Sequence, residues 1–142
     1  MEIKQLSLTE ALKKQIYGGF SRHAIDMTGH DEKFENVAFV AMNAQVMAGV
    51  IVVELFWGAL HIKYIYVEDQ YRTQKLGSQL MKKAFIYTEE YQCPFASVET
   101  MSFQALEFYE TCGFKLEFTR TGYAHNTSFH YLRKDSISKD IM

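Results

Sequence analysis

The sequence predicts one α/β domain: a mixed, mostly antiparallel central sheet flanked by helices on both faces. Three observations predict it. Residues 37–42, 46–56 and 60–67 are apolar runs rich in β-branched and aromatic side chains, divided only by Asn43-Ala44-Gln45 and Trp57-Gly58, as in successive hairpins. The third run passes into a helical pattern in which Leu76, Leu80 and Ala84 recur at i, i+4 and i+8, beside Gly77, Met81 and Phe85. Beyond it a strand, a helix and two more strands follow, up to residue 132. Antiparallel strands that lead into a strand-to-helix crossover make a sheet covered on both sides.

Composition narrows the function. The 142 residues fit a single domain with a two-sided core. Hydrophobic residues at 48% and charged residues at 23% are the balance of a globular chain rather than a disordered or membrane one. A formal net charge of −2 argues against general affinity for nucleic acid, which needs clustered Lys and Arg. No apolar run reaches the length of a membrane span, and Met1-Glu2-Ile3-Lys4 lacks the core of a signal peptide, so a cytoplasmic location is expected. Cys93 and Cys112 lack Cys-x-x-Cys spacing, and His23 and His30 have no partner at metal-ligand spacing. Two reduced thiols and no metal are expected, with a disulfide or a reactive thiol as the alternatives.

Taken in order, residues 3–6 suit a short first strand. Ser7-Leu8-Thr9-Glu10 fits a capping box, the serine closing a helix start and the glutamate reaching back. That helix should run to Tyr17, be interrupted by Gly18-Gly19 and resume over residues 20–27. Residues 28–36 form a polar loop in which Asp31, Glu32 and Glu35 serve either as a solvated connection or as an attraction for a cationic amine. After the three strands, a helix is expected over residues 79–91 and a turn at Gln92-Cys93-Pro94. A strand over 95–100 precedes a helix over 102–112 that Gly113 closes in a left-handed cap. Residues 114–118 alternate as a half-exposed strand, 128–132 supply its hairpin partner, and 135–142 read as a frayed tail. An exposed edge strand near that end could pair two subunits as a homodimer.

The turn before the central helix gathers three attractions for an anion. The first helical amides lack intrahelical partners, the dipole is positive there, and Arg72 and Lys75 stand close by. At Gly77 a Cβ would hold an oxyanion off the main chain. The glycine, lysine and hydroxyl order of a nucleotide P-loop is missing.

The stretch Tyr71-Arg72-Thr73-Gln74-Lys75-Leu76-Gly77-Ser78 resembles the acetyl-CoA-binding motif of the GNAT N-acetyltransferases: Arg or Gln, two residues, Gly, one residue, then Gly or Ala. Arg72 and Gly77 match, and Lys75 stands where the first glycine is usual. Ser102-Phe103-Gln104-Ala105-Leu106-Glu107-Phe108-Tyr109-Glu110-Thr111-Cys112-Gly113-Phe114 resembles the late helix of that family, which ends in Phe-Tyr, three residues, Gly-Phe. Ser102 replaces the Asn often found there. The resemblance covers residues 37–132 and implies acetyl-CoA as co-substrate. It assigns the diphosphate to Arg72, Thr73, Gln74, Lys75, Leu76, Gly77 and Ser78, and the pantetheine arm to the main chain of Ile65, Tyr66 and Val67. Ser102, Phe108 and Tyr109 complete the implied cofactor contacts.

The reaction so implied is direct attack of a primary amine on the thioester in a ternary complex. The amine must lose a proton, and the departing thiolate benefits from an acid. Tyr109 occupies the position where the family often has a tyrosine near the cofactor sulfur; core packing beside Phe108 is its plainer role. The base stays open among His61, which stands where several members use a glutamate, Glu54, Glu99, or a chain of waters. His125 and His130, with Tyr123 and Tyr131, are candidates to line the acceptor pocket. The expected acceptor is a small cationic amine. The alternatives are a peptide or protein amine, a longer acyl donor, a CoA-binding regulatory module without turnover, and a structural interaction domain.

Overall fold

The structure, a computed structural model, describes residues 1–32 and 36–137. The chain divides into two compact units, Met1–Lys33 and Phe34–Met142.

In the first unit a single helix, α1 (Glu10–Thr28), replaces the expected strand and interrupted helix. Residues 3–6 form no strand, and Ile3 and Leu6 are exposed. Thr9, not Ser7, is the N-cap: its Oγ1 accepts from the Leu12 N–H at 3.1 Å. Gly18 and Gly19 stay helical, because a glycine costs only about 1 kcal/mol against alanine and the helix holds good formers in Ala11, Leu12, Lys13, Lys14 and Gln15 before the pair and Arg22 and Ala24 after it. Gly29, at φ 80°, ends the helix by donating to the Ile25 carbonyl. Asp31 and Glu32 follow in this unit, whereas Glu35 lies outside the described residues.

The second unit is built on a six-stranded sheet of order β1-β2-β3-β4-β6-β5. Its strands are β1 (Val37–Asn43), β2 (Val46–Phe56), β3 (Ala59–Val67), β4 (Phe95–Met101), β5 (Lys115–Tyr123) and β6 (Thr127–Asp135). Helix α2 (Leu76–Tyr87) joins β3 to β4, and α3 (Leu106–Thr111) joins β4 to β5. Among the described residues only β3 and β4 pair in parallel, and the other pairings are antiparallel. The β2–β3 hairpin closes through Trp57 and Gly58, both at positive φ, the conformation that matches strand twist in a two-residue turn.

One face of this sheet is the core. Ile51, Val53, Leu60, Ile62, Ala96, Val98 and Leu132 pack with Leu80, Met81, Ala84 and Phe85 of α2 and Tyr109 of α3. Because side chains alternate along a strand, the intervening residues Glu54, His61, Ser97, Glu99, Tyr131 and Arg133 point the other way.

Several boundaries depart from expectation, among them α2, which begins at Leu76 rather than at residue 79, and β5 and β6, which run on to Tyr123 and Asp135. Helix α3 starts at Leu106 rather than at residue 102, because residues 102–105 turn: the Gln104 Oε1 accepts from the Met101 N–H at 2.9 Å, and the Gln104 N–H donates to the Met101 carbonyl at 3.0 Å. Helix α2 stops at Tyr87, where the Thr88 hydroxyl donates to the Phe85 carbonyl at 2.7 Å. The tail does not begin at Asp135, which closes β6, for Ile137 is 2% exposed and belongs to the core. Residues 138–142 lie outside the described residues. Among the described residues both cysteines are free thiols, and no helix is long and apolar enough to cross a membrane.

Candidate active site

Strands β3 and β4 part company. They pair only over Leu60–Ala96, His61–Ser97 and Ile62–Val98, although β3 runs on to Val67 and β4 to Met101. The cause is local. Between β2 and β3 the register shifts so that Val52 faces Tyr64 and Val53 faces Ile62, which leaves Lys63 as an inserted residue. Such a bulge bends its strand and increases the twist, and here it turns the end of β3 away from β4.

The parting opens a cavity of about 700 Å³ between the end of β3, the start of α2 and the turn before α3. Nine of the residues that the sequence assigned to the cofactor line it: Ile65, Tyr66 and Val67 on one wall, Arg72, Thr73, Lys75, Gly77 and Ser78 at the helix start, and Phe108 opposite. Phe103, Gln104 and Ala105 line it as well and were missed, since a helix expected over residues 102–112 would have distributed them around its axis. Gln74, Leu76, Ser102 and Tyr109 are not among the lining residues. Leu76 packs towards Gly49, where a Cβ would meet its Cδ2 at 3.3 Å. Ser102 is tied to β6, its Oγ accepting from the Ser128 N–H at 3.0 Å.

The start of α2 explains two sequence features. Lys75 is the N-cap residue, lies in the left-handed region at φ 58° and ψ 25°, and caps nothing with its side chain. This is the conformation glycine adopts without penalty, which accounts for the glycine usual at that place. Lys75→Gly should therefore stabilise the fold by up to about 1 kcal/mol while weakening acetyl-CoA binding several-fold through loss of the ammonium. Thermal melting and calorimetry read the two effects separately, and they should have opposite signs. At Gly77 an added Cβ would lie 3.1 and 3.2 Å from ring atoms of Phe108. The glycine thus lets α3 close on α2 as well as baring the main chain.

Arg72 is partly committed. Its Nε donates to the Val67 carbonyl at 2.9 Å, its Nη1 lies 3.0 Å from Asp69 Oδ1, and its guanidinium stands over the Tyr66 ring. It fixes the end of β3 to the turn that follows. The ion pair is largely exposed, so this is positioning more than stability.

Glu99 is the first residue of β4 beyond the last pairing with β3, and so stands at the vertex of the opening. Its Oε2 lies 2.8 Å from His61 Nε2, and His61 Nδ1 lies 2.9 Å from Glu54 Oε1. The three candidates for the base, taken from three strands, form one contact chain. They line a second cavity of about 390 Å³ with Phe56, Ala59, Phe95 and Ser97, on the sheet face opposite α2 and α3. Of the other acceptor candidates, Tyr131 pairs with Glu99 across β4 and β6, while His130 faces away, its Nδ1 2.8 Å from Thr119 Oγ1. His125 and Tyr123 are exposed at the β5–β6 turn.

Tyr109 lies in the core, 5% exposed, with ring contacts to Phe108 and Phe114 at 5.4 and 5.9 Å. Burial pushes its phenol up to about 12, helped by the Cys112 and Glu99 charges, so it holds its proton at neutral pH. Burial likewise pushes the Cys112 thiol up to about 11, against the pull of Lys134. Both groups ionise more readily unfolded, at about 10 and 9. Stability should be unaffected by them below pH 9 and fall between pH 9 and 12, as the unfolded chain releases protons that the folded chain retains. Tyr109→Phe should flatten the upper part of that decline in melts run against pH.

Comparison with known proteins agrees with this geometry. The family model for the acetyltransferase (GNAT) domain matches residues 35–116, more than half of the chain. A blasticidin-S acetyltransferase of Streptomyces morookaense is 33% identical over 90 residues, a match spanning 63% of this chain and 66% of that protein, just under two thirds. An acetyltransferase from Bacillus cereus superposes with a TM-score of 0.79 at 22% identity, over 94% of this chain and 97% of that one. A proposed streptothricin acetyltransferase from Bacillus anthracis, solved with acetyl coenzyme A, superposes at 0.65 with 23% identity, over 75% and 66%. At such identities the superpositions establish the fold, and the family match establishes the rest: the chain belongs to the GNAT acetyltransferase family.

Proposed function

We propose that the protein transfers the acetyl group of acetyl-CoA to a primary amine of a small cationic molecule, by direct attack in a ternary complex. The observation that carries this is the parting of β3 and β4, which puts the two cavities on either side of one vertex. The first cavity suits acetyl-CoA. Amides at the start of α2, with Lys75 and Arg72, answer the diphosphate, and the free edge of β3 over residues 63–67 offers main-chain partners to pantetheine amides, as to an added strand. The co-substrate supplies the reactive thioester.

The second cavity suits the acceptor. Carboxylates of Glu54 and Glu99 in one cavity with the rings of Phe56 and Phe95 favour an ammonium group. The relatives named for blasticidin S and streptothricin support a small-molecule acceptor. Over the reaction the nitrogen sheds two protons, one released to water and one matching that gained by sulfur. Glu99 accepts the first, and Tyr109, neutral and near enough to feel the Glu99 charge, supplies the sulfur. An acetyl-CoA-dependent thiol-release assay over a panel of small amines and lysine peptides tests this. Turnover is expected with cationic small amines; release only with peptides, or with none, contradicts it.

A further inference from the structure

The contact chain on the outer sheet face does more than supply a base. We propose that Glu99, His61 and Glu54 are a proton relay, in which Glu99 takes the proton of the acceptor ammonium and His61 and Glu54 act through it to deliver a proton to water. This rests on the acetyl-transfer reading above.

The geometry makes a continuous path. An imidazole accepts a proton at one nitrogen and releases one from the other without turning, provided that each nitrogen faces its own partner. His61 is so placed, with Nε2 on Glu99 and Nδ1 on Glu54 at hydrogen-bond distances. Register enforces the order, since Glu54 lies directly across β2–β3 from His61, and Glu99 lies one pleat beyond Ser97, its parallel neighbour on β4. Lys63, turned to this face by the bulge, has its Nζ 3.9 Å from Glu54 Oε2 and leaves Oε1 to the imidazole. All three side chains are partly exposed, Glu99 at 34%, His61 at 26% and Glu54 at 24%, so the Glu54 end of the chain also meets water.

The steps balance. The ammonium proton passes to Glu99, a proton passes from Glu99 Oε2 to His61 Nε2, the Nδ1 hydrogen passes to Glu54 Oε1, and Glu54 yields it to water; a flip of the imidazole between turnovers then returns its hydrogen to the Glu54 side. One proton enters and one leaves, and each bonding pair stays on the atom the proton left. Other titratable groups near this array are Lys63 on β3 and Tyr131 and Arg133 on β6, with Tyr109 of α3 on the opposite face of the sheet. Arg133 is occupied with the Phe95 ring at 3.8 Å and with Asp135 at 3.0 Å, and Tyr109 retains its proton.

Glu54→Gln tests the relay, because glutamine keeps an oxygen for Nδ1–H and cannot take its proton. At pH 7 kcat should fall by about 10²-fold with KM for acetyl-CoA unchanged. The deficit should close as pH rises through the titration of the acceptor amine, which then arrives unprotonated. His61→Gln should show the same profile, and the double variant should lose no more than the weaker single variant, since the residues act as one unit. Melting temperatures identify any variant that fails to fold, and the remaining single variant then carries the test. Loss by the same factor at every pH, additive losses, or unchanged kcat overturns the relay alone. No transfer by the unaltered protein to any amine sinks the functional reading and the relay with it.

Discussion

Gly77→Val should raise the acetyl-CoA dissociation constant by roughly 100-fold, or about 3 kcal/mol, read by calorimetry. Two effects combine. A branched side chain at the second position of α2 covers the bare amides that would face the diphosphate, and it also meets the Phe108 ring, which a single Cβ already approaches to 3.1 Å. Phe108→Ala separates them. In that background the overpacking is relieved while the oxyanion is still held off the main chain, so most of the lost affinity should remain. Full recovery in the double variant would mean that Gly77 serves packing and that the anion site lies elsewhere.

Tyr109→Phe should lower kcat by about 10²-fold while leaving the acetyl-CoA dissociation constant within about twofold, because the lost term is proton donation in the transition state. Phenylalanine preserves the ring contacts to Phe108 and Phe114, so a change in affinity would indicate that the core has moved. The pH profile gives a second check. With the phenol held at about 12 by burial, activity should show no loss attributable to this group through pH 10, where an ordinary phenol is half ionised. A limb near 10 that disappears in Tyr109→Phe would place the hydroxyl in water and contradict the buried-donor role.

Much of the architecture was legible because the sequence repeats its message. The hairpins of β1, β2 and β3 are marked by both apolar runs and turn residues, and α2 by its Leu76, Leu80, Ala84 spacing together with its basic start. Gly113, at φ 97°, closes α3 as expected. Local signals misled where they competed. Ser7 and Thr9 both suit a helix start, and spacing alone does not rank them; Gly18-Gly19 looks like a break, though neighbours can carry two glycines. Ile137 follows charged Lys134 and Asp135, and nothing local reveals that it reaches the core.

The site shows a sharper limit. Arg72, Thr73, Lys75, Gly77 and Ser78 lie together along the chain, so a motif resemblance could assign them to one site. Glu54, His61 and Glu99 come from three strands, and whether they meet depends on register, where a slip of one residue would turn any of them to the opposite face. The bulge at Lys63 leaves no composition signal, yet it opens the sheet. Phe56 and Phe95, the rings beside those carboxylates, were legible only as strand residues until their common face was known.

The central claim is that acetyl-CoA lies in the opening between β3 and β4, over the start of α2. Amide hydrogen exchange with and without acetyl-CoA tests it most directly. Added protection is predicted at the amides of Ile65 to Val67 and Leu76 to Ser78, with none along β1. Protection absent from both segments, or centred on another part of the sheet, would contradict it.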